Sequence, residues 1–90
     1  MTLNRYDKRR DENESPIVKA LRKAGVQVWY LDQPADLLTG FRKEFRILEV
    51  KKDKKENFTD DQAVFFEDTI GYPRYRVVTI EDALRVHGLI

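Results

Sequence analysis

A chain of 90 residues has room for a single domain with a modest core. Its 17 basic and 16 acidic residues nearly cancel, so net charge gives no simple nucleic-acid signature, and the lack of cysteine excludes disulfides and thiolate metal sites. No apolar run is long enough to span a membrane and no signal-peptide pattern follows Met1, so we expect a cytoplasmic protein without membrane contact.

The N-terminal part predicts a helix behind a basic arm. Residues 1–12 are charged and polar, and we expect them to be flexible when unbound. Apolar residues then recur at helical spacing, with Ser15 as a cap before Pro16 and with Gly25 as the terminator.

Three strands are predicted next. Residues 26–31 are β-branched and aromatic, which is typical of a strand. Residues 36–41 and 44–51 predict a hairpin that turns near Arg42 and Lys43.

The C-terminal part predicts a helix, a strand and a last helix. A charged loop over residues 52–57 precedes a helix that Thr59 opens through a Thr-x-x-Gln capping box. Residues 74–78 predict the fourth strand, and Thr79 caps the last helix. The order α-β-β-β-α-β-α over residues 13–90 predicts one α/β domain, a mixed four-stranded sheet flanked by helices on both faces.

Two acids and a lysine converge at one edge of this predicted sheet. Glu49 and Lys51 are two residues apart in a strand, so their side chains share a face. Antiparallel pairing within the hairpin brings Asp36 beside them. Such a group suits a hard cation with a water-orienting side chain next to it. The alternatives are that Asp36 is a turn residue, that Glu49 is an ion-pair partner and that Lys51 begins a basic loop.

Glu14 and Gln62 are two further candidates. Glu14 lies three residues before Ile17, over the apolar stripe of the first helix, which favours an inward, ligating carboxylate. The alternative is an acid that the helix dipole favours at an N-terminus. Gln62 is explained by the capping box alone.

These residues, in this order, resemble a known family. Asp36 followed by Glu49-Val50-Lys51 is similar to the core of the PD-(D/E)XK nuclease superfamily, although Ala35 here separates the proline from the acid. Four segments narrow the resemblance to the small stand-alone VRR-NUC nucleases, many of them from phages: residues 11–14, 21–25, 36–38 and 59–62.

The resemblance implies a metal-dependent DNA endonuclease in a bacterial or phage-infected cell. It places the ligands of Mg²⁺ or Mn²⁺ at Glu14, Asp36, Glu49 and the carbonyl of Val50. It makes Lys51 the group that positions the attacking water, and it lets Gln62 complete the site. It further implies a homodimer that acts on branched, flap or Holliday-junction DNA.

Two other classes of protein stay open at this point. A catalytically silent accessory protein on the same fold would bind nucleic acid without cutting it. A small α/β interaction domain would carry these acids as ordinary surface groups, and divalent ions would not stabilise it.

Basic residues flank the proposed site. Arg9 and Arg10 belong to the arm, and Lys52, Lys54 and Lys55 belong to the charged loop. We interpret them as phosphate contacts for DNA, the alternative being solvated surface.

The remaining ring side chains are predicted to have no role in catalysis. His87, the only histidine, lies in the last turn of the last helix and is predicted to be a surface residue. The large aromatics are predicted to fill the core or a dimer interface rather than to stack on bases: Trp29, Tyr30, Phe41, Phe65 and Phe66.

Overall fold

A computed structural model describes residues 12–90. Arg9, Arg10 and the rest of the predicted arm up to residue 11 lie outside the described residues. The described chain forms a mixed four-stranded sheet flanked by three helices, which confirms the predicted α/β class and order of elements. None of the helices in residues 12–90 is long and apolar enough to cross a membrane. The elements are α1 Glu14–Lys23, β1 Gln27–Tyr30, β2 Leu37–Phe41, β3 Glu44–Val50, α2 Asp60–Asp68, β4 Arg74–Val77 and α3 Ile80–Val86.

The strands lie in the sheet in chain order, β1-β2-β3-β4, so β3 has a neighbour on each side. β1 and β3 pair antiparallel with β2, whereas β4 pairs parallel with β3. The β2–β3 hairpin turns through Arg42 and Lys43, whose φ angles of 53° and 68° are left-handed. The parallel pair needs a crossover connection, and α2 lies within it.

The side chains of β3 alternate between the two faces of the sheet. Leu48 and Val50 join the apolar core, which lies between the sheet and the packed pair α1 and α3. The core also contains Ile17, Val18, Leu21, Val26, Val28, Leu37, Val77 and Ala83. Ile47 and Glu49 lie on the opposite face, which α2 covers. Glu49 therefore lies on the face of the sheet that α2 covers, opposite the face on which α1 and α3 pack.

α2 covers only part of its face of the sheet. Phe66 is buried there, with its ring centroid 4.5 Å from that of Phe58. Trp29 is 46% exposed and Phe45 63% exposed, because α2 packs over β3 and β4 while β1 is an edge strand. Of the two predicted places for Trp29, core or interface, the structure excludes the core.

The first helix begins earlier than its sequence predicts. α1 starts at Glu14, so the predicted Ser15 cap lies inside the helix. Asn13 precedes the helix, but its side chain makes no capping bond. Instead its Nδ2 donates to three carbonyls at the ends of β3 and β4, those of Lys51 at 3.0 Å, Lys52 at 3.1 Å and Val78 at 2.9 Å.

His87 is buried, so the prediction of a surface histidine is wrong. Its Nδ1 lies 2.7 Å from the Ala83 carbonyl and its Nε2 lies 2.7 Å from Thr39 Oγ1. A neutral ring satisfies both contacts, with Nδ1 donating and Nε2 accepting. Burial lowers the pKa of His87 below its ordinary 6.5 and outweighs the Ala83 carbonyl, which raises it, while the charge of Arg46 lowers it further.

Candidate functional site

A buried acid and a buried lysine lie together at the end of β3. Glu49 Oε2 is 3.5 Å from Lys51 Nζ, and the two side chains are only 3% and 5% exposed. The backbone N–H of Lys51 donates to the Val77 carbonyl at 2.9 Å, which continues the pairing with β4 past the end of the strand. Charges at this depth are costly to desolvate unless further polar groups join them.

The amide of Gln62 supplies those further hydrogen bonds. Its Nε2 donates to Glu49 Oε2 at 2.6 Å, and its Oε1 accepts from Lys51 Nζ at 2.8 Å. The same Oε1 accepts from the N–H of Thr59 at 3.0 Å and closes the predicted capping box. Gln62 therefore caps α2 and also fixes the position of the Glu49–Lys51 pair.

Asp36 precedes β2 and faces the end of β3. Its N–H donates to the Leu48 carbonyl at 3.2 Å, and its Oδ2 accepts from the N–H of Val50 at 2.8 Å. The carboxylate thus contacts the residue next to Glu49 along the strand. No hydrogen bond from residues 12–90 engages the second oxygen, Oδ1, so it is available to a ligand.

Glu14 is buried at the start of α1 with 3% of its surface exposed. Asn13 holds this helix start against the ends of β3 and β4, at the edge that carries Glu49. In residues 12–90, no group of three or more His, Cys, Asp or Glu side chains lies close enough to hold a metal ion. The three predicted carboxylates therefore form no such group. Asp36 bonds to the backbone of β3, and Glu49 bonds to Gln62.

The ring of Phe58 lies beneath two cations at the site. Lys51 Nζ is 5.5 Å from its centroid and Arg76 Cζ is 5.7 Å from it. The Arg76 guanidinium also fastens the loop before α2 by donating to the carbonyls of Asp53, Lys54 and Glu56. Sequence reasoning missed both residues. The available signal was an aromatic directly before the capping-box threonine and an arginine within a short strand.

The three lysines predicted to contact DNA are exposed on the loop between β3 and α2. Asp53 orders this loop, since its Oδ1 accepts from the N–H groups of Lys55 at 2.8 Å and Glu56 at 3.0 Å. Within residues 12–90, Lys52, Lys54 and Lys55 form no ion pair, so their charges face solvent. Their position next to the buried pair is compatible with phosphate contacts.

Comparisons with known proteins found no relative of this chain. No protein family, curated protein or solved structure matches the chain. A function is therefore proposed from the side-chain chemistry at the end of β3 and from the order of the elements that build it.

Proposed function

We propose that this protein is a metal-dependent DNA endonuclease of the PD-(D/E)XK type. The observation that carries the proposal is the buried Glu49–Lys51 pair at the end of β3, joined by the Gln62 amide. A buried ion pair adds little net stability, because desolvation offsets most of the attraction. An acid, a lysine and a glutamine are the residue types that the resemblance to the PD-(D/E)XK nucleases assigns to the catalytic site, and in this protein the three side chains are in direct contact.

The chain offers oxygen ligands of the kind that a hard divalent cation takes, but the carboxylates of residues 12–90 would have to draw closer together to hold one ion. The carboxylates of Glu14, Asp36 and Glu49 and the carbonyl of Val50 are ligand types that Mg²⁺ and Mn²⁺ take. Asp36 offers Oδ1 while its Oδ2 fixes the carboxylate on the backbone of β3. A bound divalent cation would supply a water of lowered pKa and would neutralise charge on a phosphate.

Lys51 has the chemistry to orient a nucleophile. Gln62 Oε1 and the Phe58 ring hold its Nζ in place. An ammonium has three donors, so bonds to Gln62 and Glu49 leave one for a water or a phosphate oxygen. That donor would direct a water toward the phosphate and stabilise the negative charge that grows there.

DNA would be recognised by its shape rather than its sequence. Lys52, Lys54 and Lys55 are exposed beside the site and would contact phosphates, as would Arg9 and Arg10. Contacts to phosphates carry no sequence information, which favours recognition of DNA shape, with branched, flap or junction DNA as the substrate. A homodimer with two sites on one branched duplex stays a prediction that sedimentation tests.

A nicking assay on a set of DNA structures tests the proposal. Linear duplex, splayed arm, flap and four-way junction would each be incubated with Mg²⁺, with Mn²⁺ or with EDTA. We expect divalent-dependent cleavage that Glu49→Gln abolishes, since this change keeps the shape and removes the charge. Glu44→Gln alters an exposed acid of the same strand and should cut as the wild type does.

The same assay separates the alternatives. Binding of the DNA set without any cleavage would establish the silent accessory protein instead. Absence of both binding and divalent-ion stabilisation in a thermal melt would leave the interaction domain. Cleavage by Glu49→Gln at the wild-type rate would refute the assignment of the site.

A further inference from the structure

Two aromatic rings flank a glycine on the part of the sheet that α2 leaves open. Gly40 pairs with Gln27 on one side and with Phe45 on the other. A Cβ at Gly40 would lie 3.5 Å from the Phe45 ring and 3.6 Å from the Trp29 ring. The two rings stand 6.4 Å apart between centroids. With its neighbours this slot forms an open groove of about 380 Å³, the size of a small-ligand cleft.

The hairpin turn at the end of this groove carries two cations in an unfavourable backbone conformation. Arg42 and Lys43 both have positive φ, which a two-residue hairpin turn usually assigns to Asn and Gly. Neither forms an ion pair within residues 12–90, whereas the nearby Glu44 is neutralised by Arg46 at 2.8 Å. This end of the groove is therefore positively charged, and strain of this kind is typical of functional positions.

The groove and the candidate site share one face of the same strand. Phe45 and Glu49 are four residues apart on β3, which is about 13 Å at the usual rise of a strand. A second, largely apolar groove lies along this route, with Leu38, Ile47 and Phe65 among its walls. An extended ligand that enters beside Trp29 can therefore follow β3 as far as α2, which covers Glu49 and Lys51.

We infer that this aromatic groove binds an unpaired strand of DNA, with bases stacked on Trp29 and Phe45 and a phosphate beside Arg42 and Lys43. Aromatic platforms beside cations are the usual means of holding single-stranded nucleic acid. A second copy of the chain would bring the same positive charge to the groove, whereas a DNA strand brings the opposite charge. The inference rests on the proposed nuclease function, because it takes the bound strand to be the substrate. It favours flaps and splayed arms among the branched substrates, since these contain an unpaired strand.

Binding is measured first without cleavage, in EDTA, by anisotropy of a fluorescein-labelled 15-residue oligo(dT). Trp29 is the only tryptophan, so quenching of intrinsic fluorescence reports contact at the groove itself. We expect Trp29→Ala and Phe45→Ala each to weaken binding about 5- to 100-fold, as for loss of one stacked base. Val64→Ala removes an exposed apolar side chain on α2 and should leave binding unchanged.

Two variants separate the groove from the stability of the fold. Gly40→Ala adds a Cβ in ordinary van der Waals contact with both rings, so it narrows the slot between them and should weaken oligo(dT) binding without lowering the melting temperature. Arg42→Asn with Lys43→Gly relieves the turn and should raise the melting temperature. The same double change should lower the slope of log K against log salt by about 1.4, as for two phosphate contacts on a single strand.

The outcomes bear separately on the groove and on the nuclease. Failure of the wild type to bind oligo(dT), or full binding by Trp29→Ala, overturns the inference even if DNA is cleaved. A dimer that dissociates on Trp29→Ala while oligo(dT) binding persists would assign the groove to a second copy and also overturn it. Binding at the groove with no divalent-dependent cleavage would refute the nuclease alone.

Discussion

Two helices of this protein begin with the same local motif and use it differently. At α2, Thr59 Oγ1 accepts from the N–H of Gln62 at 3.3 Å, and Gln62 Oε1 accepts from the N–H of Thr59 at 3.0 Å. At α3, Thr79 Oγ1 accepts from the N–H of Asp82 at 3.0 Å, and Asp82 Oδ2 accepts from the N–H of Thr79 at 3.1 Å. Both capping boxes are complete, so the helix starts are equivalent in their backbone hydrogen bonds.

The two boxes differ in the further contacts of the third helical residue, which is Gln62 in α2 and Asp82 in α3. Gln62 has an amide with a donor and an acceptor, and it reaches the buried Glu49 and Lys51. Asp82 has only acceptors, which bond within their own turn and face the exposed Arg85 at 3.5 Å. A capping residue can therefore also hold a tertiary contact, and its chemical type decides whether it does.

The largest effect is expected at the pair that the α2 box supports. Lys51→Met removes the cation that lies 3.5 Å from the buried Glu49, which should cost about 3–5 kcal/mol of the free energy of unfolding. Removal of this charge should also lower kcat about 10²- to 10³-fold. Urea unfolding and single-turnover cleavage measure the two effects. Glu49→Gln combined with Lys51→Met should recover stability but not activity, and recovery of activity would contradict the role given to Lys51.

Loss of either box should lower stability, and loss of the α2 box should lower it more. Asp82→Ala should cost about 1 kcal/mol, as for loss of a capping contact, and Gln62→Ala should cost more, since it also removes hydrogen bonds from the buried Glu49 and Lys51. Only Gln62→Ala should slow cleavage, by about 10- to 100-fold, because it also releases Glu49 and Lys51. Thermal denaturation beside the nicking assay makes the comparison. Equal cleavage by the two variants would show that the box at α2 has no function beyond capping.

Acid should weaken the α3 box and spare the α2 box. Burial alone would raise the pKa of Asp82, but hydrogen bonds from the Val78 and Thr79 N–H groups and from the Thr79 hydroxyl outweigh it, so the pKa lies below 3.8. The folded protein then binds the proton less readily than the unfolded chain. The stability from Asp82 is therefore present above pH 3.8 and lost as pH falls through the folded pKa. Below pH 4, the melting temperature of the wild type should fall more steeply with decreasing pH than that of Asp82→Asn.

His87, at the C-terminal end of α3, should change the stability of the protein over a higher pH range than Asp82 does. Its lowered pKa means that the unfolded chain takes up the proton first, so its contribution is complete above pH 6.5 and declines as pH falls below that value. The melting temperature of the wild type should therefore decrease between pH 7 and pH 5. Asp82→Asn should keep this decrease, and a His87→Gln variant should lose it.

The smallest effect is expected for the exposed side chain beside the α3 box. Arg85 is 62% exposed and lies 3.5 Å from Asp82 Oδ1. Arg85→Ala should change the free energy of unfolding by no more than about 0.5 kcal/mol, since solvent screens such a pair. Urea denaturation checks this. A loss comparable to that of Asp82→Ala would mean that the α3 box depends on its surface charge.

Features set by neighbouring residues were predictable from the sequence. The capping box at Thr59, the terminator at Gly25 and the turn at Arg42 and Lys43 each depend on contacts within a few residues. The shared face of Glu49 and Lys51 follows from the alternation of any strand. These local rules were enough for the order of elements and for the position of the acid and the lysine on one face.

Features that depend on how elements dock were not predictable in the same way. His87 is buried because the end of α3 meets Thr39 of β2, residues that are 48 apart in the chain. The second role of Gln62 requires α2 to lie across the end of β3. Trp29 is exposed because the crossover leaves the β1 edge uncovered, whereas its sequence neighbours are as apolar as those of a central strand. Burial of one side chain by a distant element leaves no local periodicity to detect.

The side-chain amide of Asn13 links the start of α1 to three carbonyls that are distant in the sequence. Its acceptors lie 38, 39 and 65 residues further along the chain, and all three are carbonyl oxygens. Ser and Asp, which replace Asn freely at most helix starts, offer no pair of N–H donors in its place, and Asp would set a negative charge against three carbonyls. The helix start, the strand of the candidate site and the last strand therefore converge on a single polar group that is chosen for donating rather than accepting.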